Sequence, residues 1–143
     1  MTEFRPDDSG LAFLLSTVPG YIAVLNPDLK VGAVYGQHRT HVAAAGNSRR
    51  FVDIFEHQFR EGIERTLEQV IASGTSANFE AYLKFGNDNL IWYRHQVEPQ
   101  LQSGELQSLV VTATDITSLK TLEMQLLDQQ QFIDSILNTV PGW

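Results

Sequence analysis

The stretch Leu106-Gln-Ser-Leu-Val-Val-Thr-Ala-Thr-Asp-Ile-Thr-Ser-Leu119 decides the fold, because the periodicity of the chain changes within it. Its first part, residues 106–114, is rich in apolar and β-branched residues and predicts a strand. From Leu119 onward, apolar residues recur at helical spacing. The sequence therefore predicts a strand that passes, through residues 115–117, directly into a helix.

The helix that follows carries an apolar seam. Its members are spaced alternately three and four residues apart, as the a and d positions of a heptad repeat are. An isolated helix cannot bury such a seam, so we expect a coiled-coil linker helix over residues 119–140 that pairs two copies of the chain. The alternative is one amphipathic helix that folds back on the sheet. The seam residues are Leu119, Leu122, Leu126, Gln129, Ile133 and Ile136.

Upstream of this stretch, alternating and turn-bounded segments predict four more strands and two helices. The short turns predict hairpins, and hence an α+β fold with a five-stranded antiparallel sheet, short helices on one face and a C-terminal helix. Because of Gly62, the second helix is predicted either as one helix or as two. Pro99 is expected to end the fourth strand. Residues 36–50 predict loops and one short helix. The predicted strands are 21–25, 30–35, 78–85, 90–97 and 106–114, and the predicted helices are 9–18 and 55–73.

The two ends of the chain are similar to each other. Leu11-Ala-Phe-Leu-Leu-Ser-Thr-Val-Pro-Gly-Tyr21 and Ile133-Asp-Ser-Ile-Leu-Asn-Thr-Val-Pro-Gly-Trp143 share Leu, Thr, Val, Pro and Gly at a constant offset of 122 residues. A period of this length is one domain rather than a solenoid repeat. We therefore expect a tail over 1–8, a complete domain over 9–118, and the truncated start of a second domain over 133–143 of a longer tandem-domain protein.

The composition excludes several classes of function. The chain has 10 basic and 17 acidic residues, a formal net charge of −7 and no cysteine. The missing cysteine excludes disulfides, cysteine-ligated zinc, iron–sulfur clusters and thiol catalysis. Lysine and arginine do not cluster, so we expect no nucleic-acid partner. No apolar stretch is long enough to span a bilayer, and we expect this segment to be cytoplasmic, without contact to a membrane.

These features resemble the PAS domain, the sensory fold of bacterial signalling proteins, over residues 9–118. The hairpin turn at 26–28 and the pair Trp92 and Pro99 on the fourth strand match patterns of that family. Residues 115–117, Asp-Ile-Thr, match its terminal DIT motif. The resemblance implies an antiparallel sheet that cradles a cavity beneath short helices. It also implies a sensory module of the kind that histidine kinases, diguanylate cyclases and phosphodiesterases carry in tandem.

The resemblance implies that the DIT motif relays a signal from the sheet to the helix. Asp115 either pairs with a basic group or only caps the new helix, and Thr117 offers the same cap. Our candidate partner for Asp115 is Arg94, on the neighbouring strand of the implied meander. Arg5, Lys30 and Arg39 are alternative partners. The signal-relay residues are thus Asp115, Ile116, Thr117 and Arg94.

The resemblance also implies a pocket between the sheet and the helices, for which we select candidate lining residues. Aromatic residues in a meander also occur as ordinary core packing, which is the alternative. A histidine on the fourth strand either faces the pocket or lies on the surface. The candidate pocket residues are Tyr35, His57, Phe59, Ile63, Phe79, Tyr93, His95 and Val111.

Haem and flavin are disfavoured as occupants of this pocket. Haem-binding PAS domains hold their proximal histidine inside the long helix, and residues 60–72 contain none. The photoactive flavin motif contains a cysteine, which this chain lacks. The cofactor therefore stays unknown, with none as one option, and no metal site is predicted. The histidines weighed as axial ligands are His38, His41, His57 and His95.

We expect a non-catalytic sensor and relay module that forms a homodimer through the C-terminal helix and the N-terminal helix. It senses a small ligand and acts on other domains of a parent protein of the histidine kinase or cyclic-di-GMP enzyme type. One alternative is a ligand-free dimerisation spacer. The other is a small cone-fold enzyme, which needs an acid–base pair. Glu80, Asp88 and Glu98 have no evident partner for such a pair.

Overall fold

The computed structural model describes residues 17–43, 49–85 and 89–139 of the chain. Most of the helix predicted over 9–18, and the end of the repeat over 140–143, lie outside these residues. The strands are β1 (Gly20–Leu25), β2 (Val31–Tyr35), β3 (Ala77–Phe85), β4 (Asn89–Gln102) and β5 (Glu105–Asp115). The helices are α1 (Arg39–Ala43), α2 (His57–Ser73) and α3 (Thr117–Thr139), and Phe51–Ile54 form a turn of 3-10 helix.

The five strands form one antiparallel sheet in the order β2-β1-β5-β4-β3. β5 is central and pairs with β1 on one side and with β4 on the other, so that β2 and β3 are the edge strands. β1 with β2, β3 with β4, and β4 with β5 pair as antiparallel hairpins. The α+β fold with a five-stranded antiparallel sheet, predicted from the strand and turn pattern, is therefore confirmed.

One face of the sheet forms the core together with α2. Along β1 and β5 every second side chain is buried, because successive residues of a strand point to opposite faces. α2 adds Ile63, Leu67 and Val70, which share one face of the helix. The helix is continuous through Gly62 and is capped after Ser73 by Gly74, whose left-handed backbone (φ 70°) favours glycine. The fully buried residues of the two strands are Tyr21, Ala23, Leu25, Leu109, Val111 and Ala113.

The fourth strand is longer than predicted. The prediction that Pro99 ends it is wrong, since β4 continues to Gln102. β3 pairs with β4 only as far as Ala77 opposite Val97, so beyond that point one side of β4 is an edge. Proline lacks the N–H of a ladder bond and is tolerated on such an edge. On its other side β4 still pairs with β5, with Pro99 opposite Leu109.

Two glycines allow the main chain to approach closely at the start of β1. Gly20 has φ 131°, and a Cβ built there would overlap the carbonyl oxygen of Ala113 on β5. Gly36 has φ 108°, and its Cβ would lie 2.6 Å from the carbonyl oxygen of Gly20. Both positions therefore exclude a side chain unless the backbone moves.

We expect the substitution Gly20→Ala to lower the free energy of unfolding by about 2 kcal/mol or more, because the new methyl group overlaps main chain. Gly62→Ala is the matched control, since a Cβ at Gly62 meets no atom within 4 Å. Alanine is favoured over glycine inside a helix by about 1 kcal/mol, so the control should stabilise the protein. Urea denaturation measures both values, and equal destabilisation by the two variants would contradict the close approach at Gly20.

Candidate functional site

β4 holds the junction between β5 and α3 through its main chain. The Ile116 N–H donates to the carbonyl oxygen of Trp92 (2.8 Å), and the Trp92 N–H donates to the hydroxyl oxygen of Thr117 (3.0 Å). The Thr117 hydroxyl in turn donates to Oδ1 of Asp115 (2.7 Å), which also accepts the Thr117 N–H (2.9 Å). Asp115 therefore caps the first turn of α3.

The predicted pairing of Asp115 with Arg94 is wrong. Arg94 forms an ion pair with Glu80, its cross-strand neighbour on β3, through Nη2 (3.1 Å) and Nε (3.3 Å). The reason is the register of β4 and β5, in which Asp115 lies opposite Tyr93. Asp115 and Arg94 thus lie on opposite faces of the sheet and cannot meet.

Glu80 also holds the first turn of α3. Lys120 Nζ lies 2.7 Å from Oε1 of Glu80 and 5.1 Å from the centre of the Trp92 ring. The hydrogen bond that the Lys120 ammonium donates to Glu80 lowers the pKa of the Glu80 carboxyl group and raises the pKa of Lys120. We call these contacts of Lys120 with Glu80 and Trp92 the Lys120 clamp. The clamp joins β3, β4 and α3 on the face of the sheet opposite to the core.

The core contains a chain of polar aromatic side chains. The Tyr21 hydroxyl lies 2.7 Å from Nε2 of His95, and the Tyr93 hydroxyl lies 2.6 Å from Nδ1 of His38. The rings of Tyr21 and Tyr93 meet edge to face, with 5.1 Å between their centres. Tyr21, Tyr93 and His95 are fully buried, so these contacts supply partners that buried polar groups require.

The environment of His95 keeps its imidazole neutral. Burial lowers the pKa of His95 to about 3, although the main chain of Phe79 is close enough to oppose this shift. None of the residues that the structure describes offers Nδ1 a hydrogen-bond partner in good geometry. The ring stacks on Phe79 with 4.3 Å between ring centres. Burial likewise raises the pKa of Tyr21 and of Tyr93, so both phenols stay protonated near neutral pH.

A cleft of about 260 Å³ lies between α2 and the edge strand β3. Phe59, Ile63 and Phe79 give it apolar surface, and Glu80 brings a residue of the Lys120 clamp to its wall. Because a Cβ at Gly62 would meet no atom, the cleft is open on the side of the helix. We call this site the α2–β3 cleft; it is lined by Gln58, Phe59, Gly62, Ile63, Thr66, Phe79 and Glu80.

The placement expected for two of the predicted pocket residues is wrong. His57 is exposed, because it lies about 120° around α2 from the buried Ile63. Tyr35 pairs with Ile22, whose side chain points away from the core, so Tyr35 lies on the outer face of the sheet. The other predicted pocket residues lie in the core or in the α2–β3 cleft. They are Phe59, Ile63, Phe79, Tyr93, His95 and Val111.

Beyond its first turn, α3 exposes its apolar side chains. All residues from 121 to 137 are exposed, among them Leu122 and Leu126 of the predicted seam, at 52% and 57%. The helix therefore does not fold back on the sheet, and the alternative prediction is wrong. Pairing of the seam with a second copy stays a prediction.

The Lys120 clamp is not among the features predicted from the sequence. Glu80 and Arg94 lie at nearly equal distances from the turn between the strands predicted at 78–85 and 90–97, so the register of this hairpin is enough to predict their pairing. No local signal could have found Lys120, because its contact depends on the direction in which α3 leaves the sheet.

Within the described ranges, no three histidine or acidic side chains lie close enough together to hold a metal ion. None of the helices described here combines the length and apolarity needed to cross a bilayer. Of the histidines weighed as haem ligands, His38 and His95 each contact a tyrosine hydroxyl, and His57 is exposed.

The family model described as the PAS fold matches residues 15–121, and the chain belongs to this family. The PAS family is a family of sensory domains. No curated protein matches the chain at a significant level.

Solved structures share this fold at low sequence identity. A PAS domain from Colwellia psychrerythraea is 10% identical with a TM-score of 0.63, over 77% of this chain and 97% of that one. A sensory box sensor histidine kinase from Vibrio cholerae is 13% identical with a TM-score of 0.52, over 75% and 87%. The N-terminal domain of a diguanylate cyclase with PAS/PAC sensor from Marinobacter aquaeolei is 11% identical with a TM-score of 0.55, over 71% and 98%. Identities this low show similarity of fold alone.

We expect the buried His95 to make the protein less stable in acid. Its folded-state pKa of about 3 lies below the unfolded value of about 6.5. As the pH falls, the unfolded chain binds this proton first, so the free energy of unfolding decreases between those two values. Urea denaturation at a series of pH values measures the decrease.

The double variant Tyr21→Phe/His95→Leu lacks the buried imidazole and should lose part of this decrease. Tyr21→Phe alone retains His95 and should keep it, which controls for the lost hydroxyl. The same pH dependence in the wild-type protein and the double variant would contradict a neutral buried His95.

Proposed function

We propose that this chain is the sensor and relay module of a multidomain signalling protein, which senses a small ligand and passes the change through the DIT junction to α3. The observation that carries the proposal is the attachment of α3. The junction and the Lys120 clamp join its first turn to the sheet, and the rest of the helix extends with an exposed apolar seam. A rigid helix attached at one end follows a movement of the sheet at that end.

The attachment is weak enough for a ligand to change it. Lys120 and Glu80 retain side-chain exposures of 25% and 34%, and partly exposed ion pairs contribute little to stability. The two hydrogen bonds to Trp92 contribute roughly 1 kcal/mol each. A ligand that binds one arrangement of the sheet better than another therefore shifts the position of α3.

The exposed seam supports a homodimer that pairs through α3. Leu122, Leu126 and Ile133 have exposures of 51% to 57%, and a second copy of the helix would cover them. Gln129 on the same seam would help to fix the register, as a polar a or d residue does. The N-terminal helix, predicted as a second dimer contact, lies outside the described residues.

The parent protein, in this proposal, is a cytoplasmic histidine kinase or cyclic-di-GMP enzyme with a second PAS domain after this one. The fold shared with a histidine kinase and a diguanylate cyclase supports the class, and the repeat over 133–143 supports the tandem arrangement. This chain itself is non-catalytic. The spacer alternative differs in having no ligand-dependent equilibrium.

We expect Lys120→Met to loosen the start of α3, because it removes the ammonium and keeps the apolar part of the side chain. Amide hydrogens in the first turns of α3 should exchange about threefold faster. Hydrogen exchange read by NMR measures this. The control is Arg65→Met, which breaks the exposed pair with Glu61 on α2 and should leave α3 unchanged. Unchanged exchange in Lys120→Met would count against a clamp on α3.

We expect Leu126→Glu to weaken the homodimer by about tenfold or more, since it would bury a carboxylate in the seam. Met124→Glu is the matched control. Met124 is also exposed, but it lies about 160° around the helix from Leu126 and outside the seam. Light scattering over a concentration series measures the mass. A monomeric wild-type chain, or equal weakening by both variants, would refute pairing through this seam.

A further inference from the structure

Glu80 belongs to two features of the molecule at once. Because β3 is an edge strand, residues of both its faces border the α2–β3 cleft, Phe79 from the core face and Glu80 from the opposite face. The carboxylate oxygens of Glu80 contact Arg94 and Lys120. An occupant of the cleft that reaches this carboxylate therefore meets the group that attaches α3 to the sheet.

The remaining polar groups of the cleft have partners within the chain. The Gln58 side-chain amide donates to the Tyr82 hydroxyl (2.8 Å), and the Thr66 hydroxyl donates to the carbonyl oxygen of Gly62 (2.9 Å). The rest of the lining is apolar, which suits the body of an organic molecule. The volume of about 260 Å³ lies just below the usual range of small-molecule sites, about 300–1,000 Å³, so the ligand is small.

Gly62 keeps the cleft open at a cost to the helix. Glycine inside a helix is about 1 kcal/mol less favourable than alanine. Packing does not require it, since a Cβ there would meet no atom within 4 Å. A bound molecule would occupy the space that Gly62 leaves open beside the main chain of the helix.

The charge on the wall of the cleft favours a cation. Glu56 accepts the Tyr82 hydroxyl (2.7 Å), and Glu123 pairs with Lys120 (3.6 Å). Among the described residues that line the cleft, however, Glu80 alone carries a charged side chain, and that side chain is acidic. Aromatic rings such as Phe59 and Phe79 also attract cations placed over their faces.

We propose that the α2–β3 cleft binds a small amphipathic organic cation, with its apolar body against Phe59, Ile63 and Phe79 and its ammonium group at Glu80. The bound ammonium competes with Lys120 for the carboxylate and opens the Lys120 clamp. The site thereby links occupancy of the cleft to the attachment of α3. The consequence for signalling rests on the proposed function, whereas the binding itself does not.

Three probes with the same phenylethyl body test the choice of a cation: phenethylamine, phenethyl alcohol and hydrocinnamate. The 143-residue chain, isotopically labelled, is titrated with each and followed by NMR, with ammonium chloride as the control for salt. Phenethylammonium should shift the amides of Gly62, Phe79 and Lys120. Its Kd should be at least about tenfold lower than that of the neutral alcohol, because a hydrogen bond to a charged group is the stronger one. The anion should bind most weakly.

Two variants locate the site. Gly62→Leu fills the cleft and should abolish the shifts, whereas His57→Leu adds the same side chain on another face of α2 and should leave them unchanged. Glu80→Gln should remove the preference for the amine over the alcohol.

Equal affinity for amine and alcohol, or shifts that survive Gly62→Leu, would overturn the proposed site. Binding in the cleft without a shift at Lys120 would overturn the competition. If Lys120→Met loosens α3 while phenethylammonium leaves Gly62 and Phe79 unmoved, the relay function stands and this proposal fails.

Discussion

The passage from β5 to α3 constrains the rest of the structure. Ile116 alone separates the last residue of β5 from the first residue of α3, so no loop can absorb a change in direction. Ile116 and Thr117 both bond to the main chain of Trp92, and the helix therefore begins only where β4 lies beside β5. The register of the two strands thus sets where α3 starts and which way it leaves the sheet.

The centre of the sheet and its β3 edge respond differently to a perturbation. In the core, the hydroxyls of Tyr21 and Tyr93 contact histidine nitrogens, and separating them would leave buried polar groups without partners. At the edge, the groups that meet α3 are partly exposed, and the neighbouring cleft is open at Gly62. A bound small molecule would therefore change the edge at a lower free-energy cost than the core, and the edge is where the sheet touches the helix.

The strands could be predicted because hairpin turns and the alternation of apolar residues are local features of the sequence. The wrong predictions depend on strand register and on contacts between residues far apart in the sequence. β4 continues through Pro99 because β3 ends before it, so the missing N–H of the proline costs no ladder hydrogen bond to β3. The predicted face of Tyr35 and the predicted partner of Arg94 are wrong, because both depend on strand register. A shift of one residue in register reverses the face on which every side chain of a strand lies. The pairing of Glu80 with Lys120 depends on the path of α3, which no periodicity encodes.

The length of α3 turns a small change at the junction into a large one along the seam. The helix is continuous from Thr117 to Thr139, so a rotation at its first turn rotates every apolar residue that follows. Burying a leucine side chain contributes about 1.5–3 kcal/mol, and the half-exposed Leu122 and Leu126 would gain part of this only when they face a partner. The stability of a paired seam therefore depends on the angle at which the Lys120 clamp holds the helix, and a dimer would in turn favour the closed clamp by the same coupling free energy.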